Sequence, residues 1–350
     1  MGDWKQILPV VSRGDKSEVL DSCMFSSPLW ERFEKLTLET NMRLSSATSN
    51  EEAQTKQNYA TMIKNLAANE NMIHYSDITF EHTNGERKDF VFLHVSVFNE
   101  DDAFSMRASI NWLFPDDHYD ALTASNNTIL ATTNDEVDKW NDKISSLNPS
   151  AESIMFSKTW FSEVDDLHGN MKFMLNETAL NNINRNGVPP HQLKLKVDDI
   201  CILMQNINVK DGITNNTRVR ILRISNNVIV GRTLTEKLKV IVIPRVRFRF
   251  RLPYAQSYEL VRSQFPLRRA FALTYNKSQG QTLKKVLLDV RTPLFAHGFL
   301  YVGLSRVQHP SNVAFFVNNS LLHSNPSPSS WHNKPVISNV VYSEVFNVNI

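Results

Sequence analysis

The sequence predicts an α/β fold interrupted by a smaller β-rich insertion, and three observations carry that prediction. Thr128 to Thr132 reads as a strand that runs into a capped helix. Further pieces of the same kind, a strand at Lys285 to Val290, a helix around Tyr301 and a strand at Val313 to Val317, arrive only after a long gap. The stretch filling that gap, about 178 to 262, alternates apolar and polar residues between turn signals, which suits several short strands better than helices.

Taken in order, the elements have local reasons. Ser27 as N-cap, Pro28 at the first helical position, and Leu29, Trp30, Phe33 and Leu36 at helical spacing predict a short amphipathic helix. Ser49 and Glu52 form a capping-box pattern ahead of a helix with Tyr59, Met62, Ile63 and Leu66 on one face. Thr133 and Glu136 cap the next helix, which carries Val137, Trp140 and Ile144. Turns are expected at Gly187-Val188-Pro189-Pro190 and at Lys210-Asp211-Gly212. Val286-Leu287-Leu288-Asp289-Val290 has the apolar run and aspartate of a magnesium-holding strand. Val290 stands where a catalytic glutamate would follow, so the segment reads as a buried strand. Asn325 to Pro335, rich in Pro, Ser and Asn, reads as a flexible connection.

At 350 residues, 41% hydrophobic and 21% charged, the chain has room for two or three core-forming units and is neither disordered nor fibrous in composition. Cys23 and Cys201 stand far apart in no paired motif, so neither a disulfide framework nor a zinc site is signalled, and a reducing intracellular compartment follows. No stretch has the length of a membrane span. Gln6 occupies the place where an N-myristoylation signal wants Ser or Thr. The net charge of +2 hides an asymmetry: residues 185 to 285 hold 20 Lys and Arg against 5 Asp and Glu, and the remainder holds 18 against 31. One basic sector on an acidic chain favours a polyanionic partner, because neutralising phosphates releases condensed counterions.

The most informative run is Tyr275-Asn276-Lys277-Ser278-Gln279-Gly280-Gln281-Thr282, followed by Tyr301-Val302-Gly303-Leu304-Ser305-Arg306. Lys277, Gln279 and the flexible Gly280 suit a loop that grips a phosphodiester chain, and the planar fork of Arg306 matches a phosphate. Gly2-Asp3-Trp4-Lys5-Gln6 at the start completes a set whose order is informative. None of the ten glycines is followed by Lys-Ser or Lys-Thr, so the P-loop cradle is absent from the sequence.

On these residues the chain resembles the superfamily-one DNA helicases of the PIF, RecD-like and Helitron branch. Gly2 to Val11 is similar to motif III, Asn41-Met42-Arg43-Leu44 to motif IV, Phe271 to Thr282 to motif V, and Tyr301 to Arg306 to motif VI. Gly187 to His191 with Leu193 to Val197 is similar to the 2B segment, and Asn339 to Val345 to a Helitron-type ending. The resemblance implies a RecA-like motor domain of the P-loop nucleotidase class with an inserted β-rich 2B domain. The implied boundaries are 1–45 for a remnant of the first RecA-like domain, 46–177 with 263–322 for the second, 178–262 for 2B and 323–350 for a flexible tail. It also implies that the chain is the later half of an ATP-dependent helicase, moving 5'-to-3' on single-stranded DNA, with RNA or an RNA–DNA hybrid as the alternative strand.

By the same resemblance, Gln6, Arg43 and Arg306 would be catalytic, and Gly2, Asp3, Gln6, Arg43, Gly280 and Arg306 would approach ATP and Mg2+ held mainly by an upstream domain. Thr274, Lys277, Gln279, Gly280 and Thr282 would contact the DNA backbone. Asn276 replaces a frequent histidine and Gly303 a frequent alanine. In the 2B segment Asp198-Asp199 and Asn215-Asn216-Thr217-Arg218 stand where a glycine is usual, which implies drift or a reshaped turn. A nuclear location is implied, with a mitochondrial one as the alternative, and no obligate protein partner is signalled.

Two readings stay open. Arg245, Arg247, Arg249 and Arg251 alternate with Val246, Phe248, Phe250 and Leu252, so a strand would place the guanidinium groups on one face. They would either track phosphates or pair with carboxylates on an edge strand. The whole chain is either the working half of a motor or a binding module, a fragment or transposon relic that holds nucleic acid without a motor cycle. His191, His297 and His309 are not spaced as a metal set.

Overall fold

The computed structural model describes residues 3–11, 13–34, 36, 49–68, 89–92, 96–100, 104–115, 126–162, 176–185, 187–234, 238–252, 255–318 and 336–346. The chain divides into two compact units, one of residues 1–116, 126–137 and 273–350, the other of 117–125 and 138–272. The division falls inside the helix Asn134–Leu147 rather than at residue 178, and ten residues beyond 262.

The first unit is built on a five-stranded sheet in the order Ala272–Thr274, Asn127–Ala131, Lys285–Asp289, Val313–Val317, Ser96–Asn99. The strand Lys285–Asp289 pairs in parallel with both Asn127–Ala131 and Val313–Val317. Every residue of the flanking two is buried, as expected of parallel strands covered on both faces. Asp289 ends the central strand, 1% exposed, and its carboxylate accepts from the Arg291 amide and guanidinium. The buried-strand reading of Val286 to Val290 therefore holds. Strand, helix and strand alternate, so the loops that carry chemistry gather beyond the C-terminal strand ends.

The helices follow their caps. The Ser49 hydroxyl accepts the Glu52 amide at the head of Asn50–Ala68, which buries Tyr59, Ile63 and Leu66. The Tyr59 hydroxyl donates to the Leu304 carbonyl. Thr133 accepts the Glu136 amide at the head of Asn134–Leu147, where Val137, Trp140 and Ile144 are buried.

Two expectations fail. The helix over 27–36 is replaced by 3-10 turns at Met24–Ser26 and Trp30–Arg32. Ser27 is extended and its hydroxyl accepts the Leu29 amide, as an N-cap does, but the turn it starts closes three residues apart and stops at an extended Phe33, so no continuous helix forms. Trp30 packs edge-on against Trp4, whereas Leu29, Phe33 and Leu36 are exposed. The tail over 323–350 is not wholly flexible either. Val336–Asn339 pairs antiparallel with Asp89–Phe92, and Val345 is fully buried against Leu8 and Cys23. The expected flexible connection at 325–335 lies outside the described residues.

The second unit is β-rich. A five-stranded antiparallel sheet runs Val240–Pro244, Val228–Thr233, Arg218–Ile224, Ile200–Leu203, Leu267–Arg269. A three-stranded sheet runs Val246–Leu252, Ala255–Gln264, Lys158–Phe161. Leu203, Val219, Ile229, Ile243, Phe265 and Leu267 are fully buried in one core. Arg269 ties the unit together: its guanidinium donates to Asp199, Asp142 and Glu152 at 3.1, 2.8 and 3.2 Å. Asp198 and Asn216 lie in the left-handed region at φ 73 and 66. That backbone is one glycine adopts without cost, and Asp and Asn are the other residue types that tolerate it best. No helix among the described residues is long and apolar enough to cross a membrane.

Candidate nucleic-acid interface

The run Thr274 to Thr282 follows the end of the strand Ala272–Thr274. Thr274 is extended and its hydroxyl accepts the Lys277 amide at 3.4 Å, which starts the one-turn helix Tyr275–Ser278. Gly280, at φ +77, reverses the chain, and among the described residues beyond its chain neighbours no atom lies within 4 Å of a Cβ placed there, so the backbone angle rather than crowding calls for glycine. The Gln281 amide closes the turn on the Ser278 carbonyl at 3.1 Å, and its side chain donates to the Lys277 carbonyl at 3.0 Å. Gly280 and Thr282 are exposed, and Lys277 and Gln279 are half-buried.

Arg306 holds this loop from beneath. It is 3% exposed, at the end of the helix Phe299–Leu304. Its guanidinium donates to the Ser278 carbonyl at 3.1 Å, the Gln281 carbonyl at 3.2 Å, the Val302 carbonyl at 2.8 Å and the Ser305 hydroxyl at 2.7 Å. The Leu283 amide donates back to the Arg306 carbonyl at 2.9 Å. The sequence suggested an open fork; the structure instead spends that fork on carbonyls left over at a tight turn and helix end. Gly303 lets this helix approach closely, since a Cβ there would stand 2.8 Å from Leu288 and 2.9 Å from Tyr275.

The N-terminal segment meets the same unit through Gly298. A Cβ on that residue, at φ +76, would stand 2.6 Å from the Lys5 carbonyl oxygen and 2.7 Å from the Gln6 carbonyl carbon. His297 next to it is buried, with Nε2 donating to the Trp4 carbonyl at 2.7 Å and Nδ1 accepting the Tyr342 amide at 2.8 Å. Burial pulls its pKa below the ordinary value, against the opposing Trp4 carbonyl bond and Asp3 charge. The Asp3 carboxylate accepts from the Gln6 side chain at 3.1 Å and the Tyr301 hydroxyl at 3.2 Å. The Gln279 side chain reaches the Ile7 carbonyl at 3.4 Å. Asp3, Gln6, Gln279 and Arg306 thus belong to one packed unit. Gly2 and Arg43 lie outside the described residues.

Beside the loop, the strand ends are clamped by charge. Arg291 bridges Asp289 and Glu100, and Glu136 accepts from Thr132 and Thr292. Burial pushes the Glu136 carboxyl up, but the Thr292 and Thr132 hydroxyls outweigh it and hold the group below its usual range. Tyr275 is fully buried, stacked on Phe299 at 5.2 Å, and its hydroxyl finds no hydrogen-bond partner among the described residues. Burial and the Asp289 and Glu136 charges push its pKa well up.

Of the residues that the resemblance sets near ATP and Mg2+, Asp3, Gln6 and Arg306 are engaged within the chain. Arg306 is turned onto carbonyls and the Gln6 amide onto Asp3. Among the described residues no group of three or more His, Cys, Asp or Glu could hold a metal ion.

In the second unit the arginine alternation becomes a face. Phe248 and Phe250 of Val246–Leu252 are buried, and Arg247, Arg249 and Arg251 are exposed. Arg245 precedes the strand and departs from the pattern: it donates to the Phe156 carbonyl and Gln264, and lies 4.6 Å over the Phe265 ring. Burial lowers its pKa. Arg249 pairs with Glu259 at 2.8 Å. The carboxylate-pairing reading is seen at Arg249, while Arg247 and Arg251 are exposed on the sheet face. Trp160 and Lys158, which the sequence did not single out, stand on the same face.

The fold is that of a RecA-like domain with an inserted β-rich domain, similar to the fold of solved Pif1 helicases. Within that fold, the chain's resemblance is to PIF1-type helicases: residues 1–73 match the PIF1-like helicase family model, and 179–224 match that of the DNA helicase Pif1 2B domain. The chain is 39% identical over 54 residues to an ATP-dependent DNA helicase Pif1 of Campylobacter jejuni, 15% of this chain and 12% of that protein. It is 53% identical over 45 residues to an ATP-dependent DNA helicase PIF1 of Candida albicans, 13% of this chain and 5% of that one. In fold it is similar to the crystal structure of Pif1 helicase from Candida albicans, with a TM-score of 0.60 and 19% identity over 99% of this chain and 66% of that one. It is also similar to Bacteroides Pif1 bound to ssDNA, at TM-score 0.54 and 17% identity over 90% and 60%. The chain spans less than two thirds of the length of these relatives.

Proposed function

We propose that these residues form the strand-gripping part of an ATP-dependent DNA helicase of PIF1 type, which couples ATP hydrolysis to 5'-to-3' movement on single-stranded DNA and to unwinding. The observation that carries the reading is the loop Thr274 to Thr282, held open to solvent at Gly280 and Thr282 and fixed from beneath by Arg306. Thr274, Lys277, Gln279, Gly280 and Thr282 contact the phosphodiester chain, and Arg247 and Arg251 add sequence-independent phosphate contacts. ATP and Mg2+ are held by residues other than the described ones, and Arg306 acts as the clasp that sets the loop's shape. Solved Bacteroides Pif1 complexes with ssDNA and with ADP-AlF3 support the ligand classes. The protein works on DNA inside the cell, in the nucleus or the mitochondrion.

A second reading has its own support. The internal engagement of Arg306 and Gln6 favours a chain that binds single strands without a motor cycle of its own. Titration of a fluorescent oligo(dT) with the full chain, with and without ATP and Mg2+, separates the two. Under the first reading nucleotide changes the affinity; under the second it does not. Lys277→Ala weakens binding under both, and an unaltered affinity in that variant would remove the loop from the interface.

A further inference from the structure

The three-stranded sheet of the second unit has two unlike faces. One is core: Phe248, Phe250 and Leu260 are buried, and Arg262, wholly buried, donates to the Thr159 hydroxyl and to the carbonyls of Pro189 and Leu180. The other follows from the register. Arg249 lies opposite Val261, which lies opposite Trp160; Arg247 lies opposite Ser263, which lies opposite Lys158; Arg251 lies opposite Glu259. Residues directly opposite in an antiparallel sheet share a face, so Trp160 stands among Lys158, Arg247, Arg249 and Arg251, with Glu259 the opposing charge among these paired positions.

A tryptophan on a solvent-facing sheet is out of place unless it is used. Trp160 is 36% exposed, its cross-strand neighbour Val261 is 3% exposed, and the Arg247 guanidinium lies 6.0 Å from its ring centroid. An aromatic ring set between cations spaced along a strand offers both things a single-stranded nucleic acid presents, a base with a π face and a chain of phosphates. The charge excludes a cationic partner, and a flat sheet face with one ring offers no groove for an apolar helix.

The geometry points to a base-stacking platform on this face: Trp160 stacks a base of a single strand while Lys158, Arg247 and Arg251 neutralise the phosphates on either side. This rests on the reading of the chain as a single-strand binder, and adds a site separate in sequence from the loop at Lys277. Arg249, already paired with Glu259, steadies the face rather than meeting the strand.

The test is the affinity of the full chain for oligo(dT) and for an abasic oligonucleotide of equal length, which keeps the phosphates and removes the bases. Trp160→Ala weakens oligo(dT) binding about tenfold and leaves abasic binding within about twofold. Trp160→Phe keeps most of the affinity but loses the part of the tryptophan emission change that oligo(dT) causes. Arg247→Gln and Arg251→Gln, exposed and safe for folding, each make the salt dependence shallower by about one unit of slope. If Trp160→Ala binds oligo(dT) like the wild type while Lys277→Ala does not, the platform is refuted and the broader reading stands. If the wild type binds neither oligonucleotide, the broader reading falls and takes the platform with it.

Discussion

In the unit built on the parallel sheet, two side chains that the sequence reading aimed at phosphates, those of Arg306 and Gln6, turn inward. Arg306 feeds its guanidinium to the Ser278 and Gln281 carbonyls, and Gln6 turns onto Asp3. In the β-rich unit, alternation keeps Arg247 and Arg251 on the open face of a sheet whose other side buries Phe248 and Phe250. The same residue type is a fastener in one place and a surface charge in the other. The local backbone decides which: a tight loop leaves carbonyls that need donors, whereas a strand satisfies its own backbone and leaves the side chain to solvent.

The sharpest break of this contrast is Gly298→Ala. Its Cβ would meet backbone atoms of Lys5 and Gln6 under 3.0 Å at a positive φ, so the substitution is expected to cost about 4 kcal/mol. Chemical denaturation of the full chain reads this, together with early proteolysis of the N-terminal segment; a cost under about 1 kcal/mol would mean that Lys5 and Gln6 do not pack there. Next comes the direct comparison of arginines. Arg306→Ala leaves buried carbonyls without their charged donor and is expected to cost about 3 kcal/mol, whereas Arg247→Gln stays within about 0.5 kcal/mol. Equal melting temperatures for the two variants would contradict the distinction between fastener and surface charge.

A gain is expected elsewhere. Asn216→Gly relieves a left-handed residue and is expected to stabilise the β-rich unit by up to about 1 kcal/mol, since strain there falls by more than the entropy glycine adds. A loss on denaturant titration would show that the Asn216 side chain itself holds the turn. The smallest effect is one of pH. Burial holds His297 neutral in the folded chain, with its pKa below the unfolded value of about 6.5. Its contribution is therefore complete above that value and is lost as pH falls through the folded pKa. The hydrogen-exchange protection factor of the Tyr342 amide, which donates to His297, should fall on acidification and stay constant in a His297→Gln variant.

Much of the fold was legible because its signals are local. Thr133 and Glu136 announced a helix, Val313 to Val317 matched a strand residue for residue, and the arginine alternation put Arg247, Arg249 and Arg251, though not Arg245, on one face. Failures came where the deciding partner lies far along the chain. The segment over 336–346 reads as a tail until Asp89–Phe92 and Leu8 are known to pack with it. The inward turn of Arg306 depends on a loop 28 residues upstream, and no spacing rule states which way a guanidinium points. Trp160 carries meaning only once Val261 and Arg247 lie beside it.

The measurement that tests the central claim most directly is the salt dependence of oligo(dT) affinity, by fluorescence anisotropy, for the full chain, for Lys277→Ala and for the Arg247→Gln, Arg251→Gln double variant. The account predicts that log K falls linearly with log salt, with a slope shallower by about one for Lys277→Ala and by about two for the double variant. Binding that ignores salt, or a slope that neither variant changes, would contradict the assignment of this loop and this face to the grip on a nucleic-acid strand.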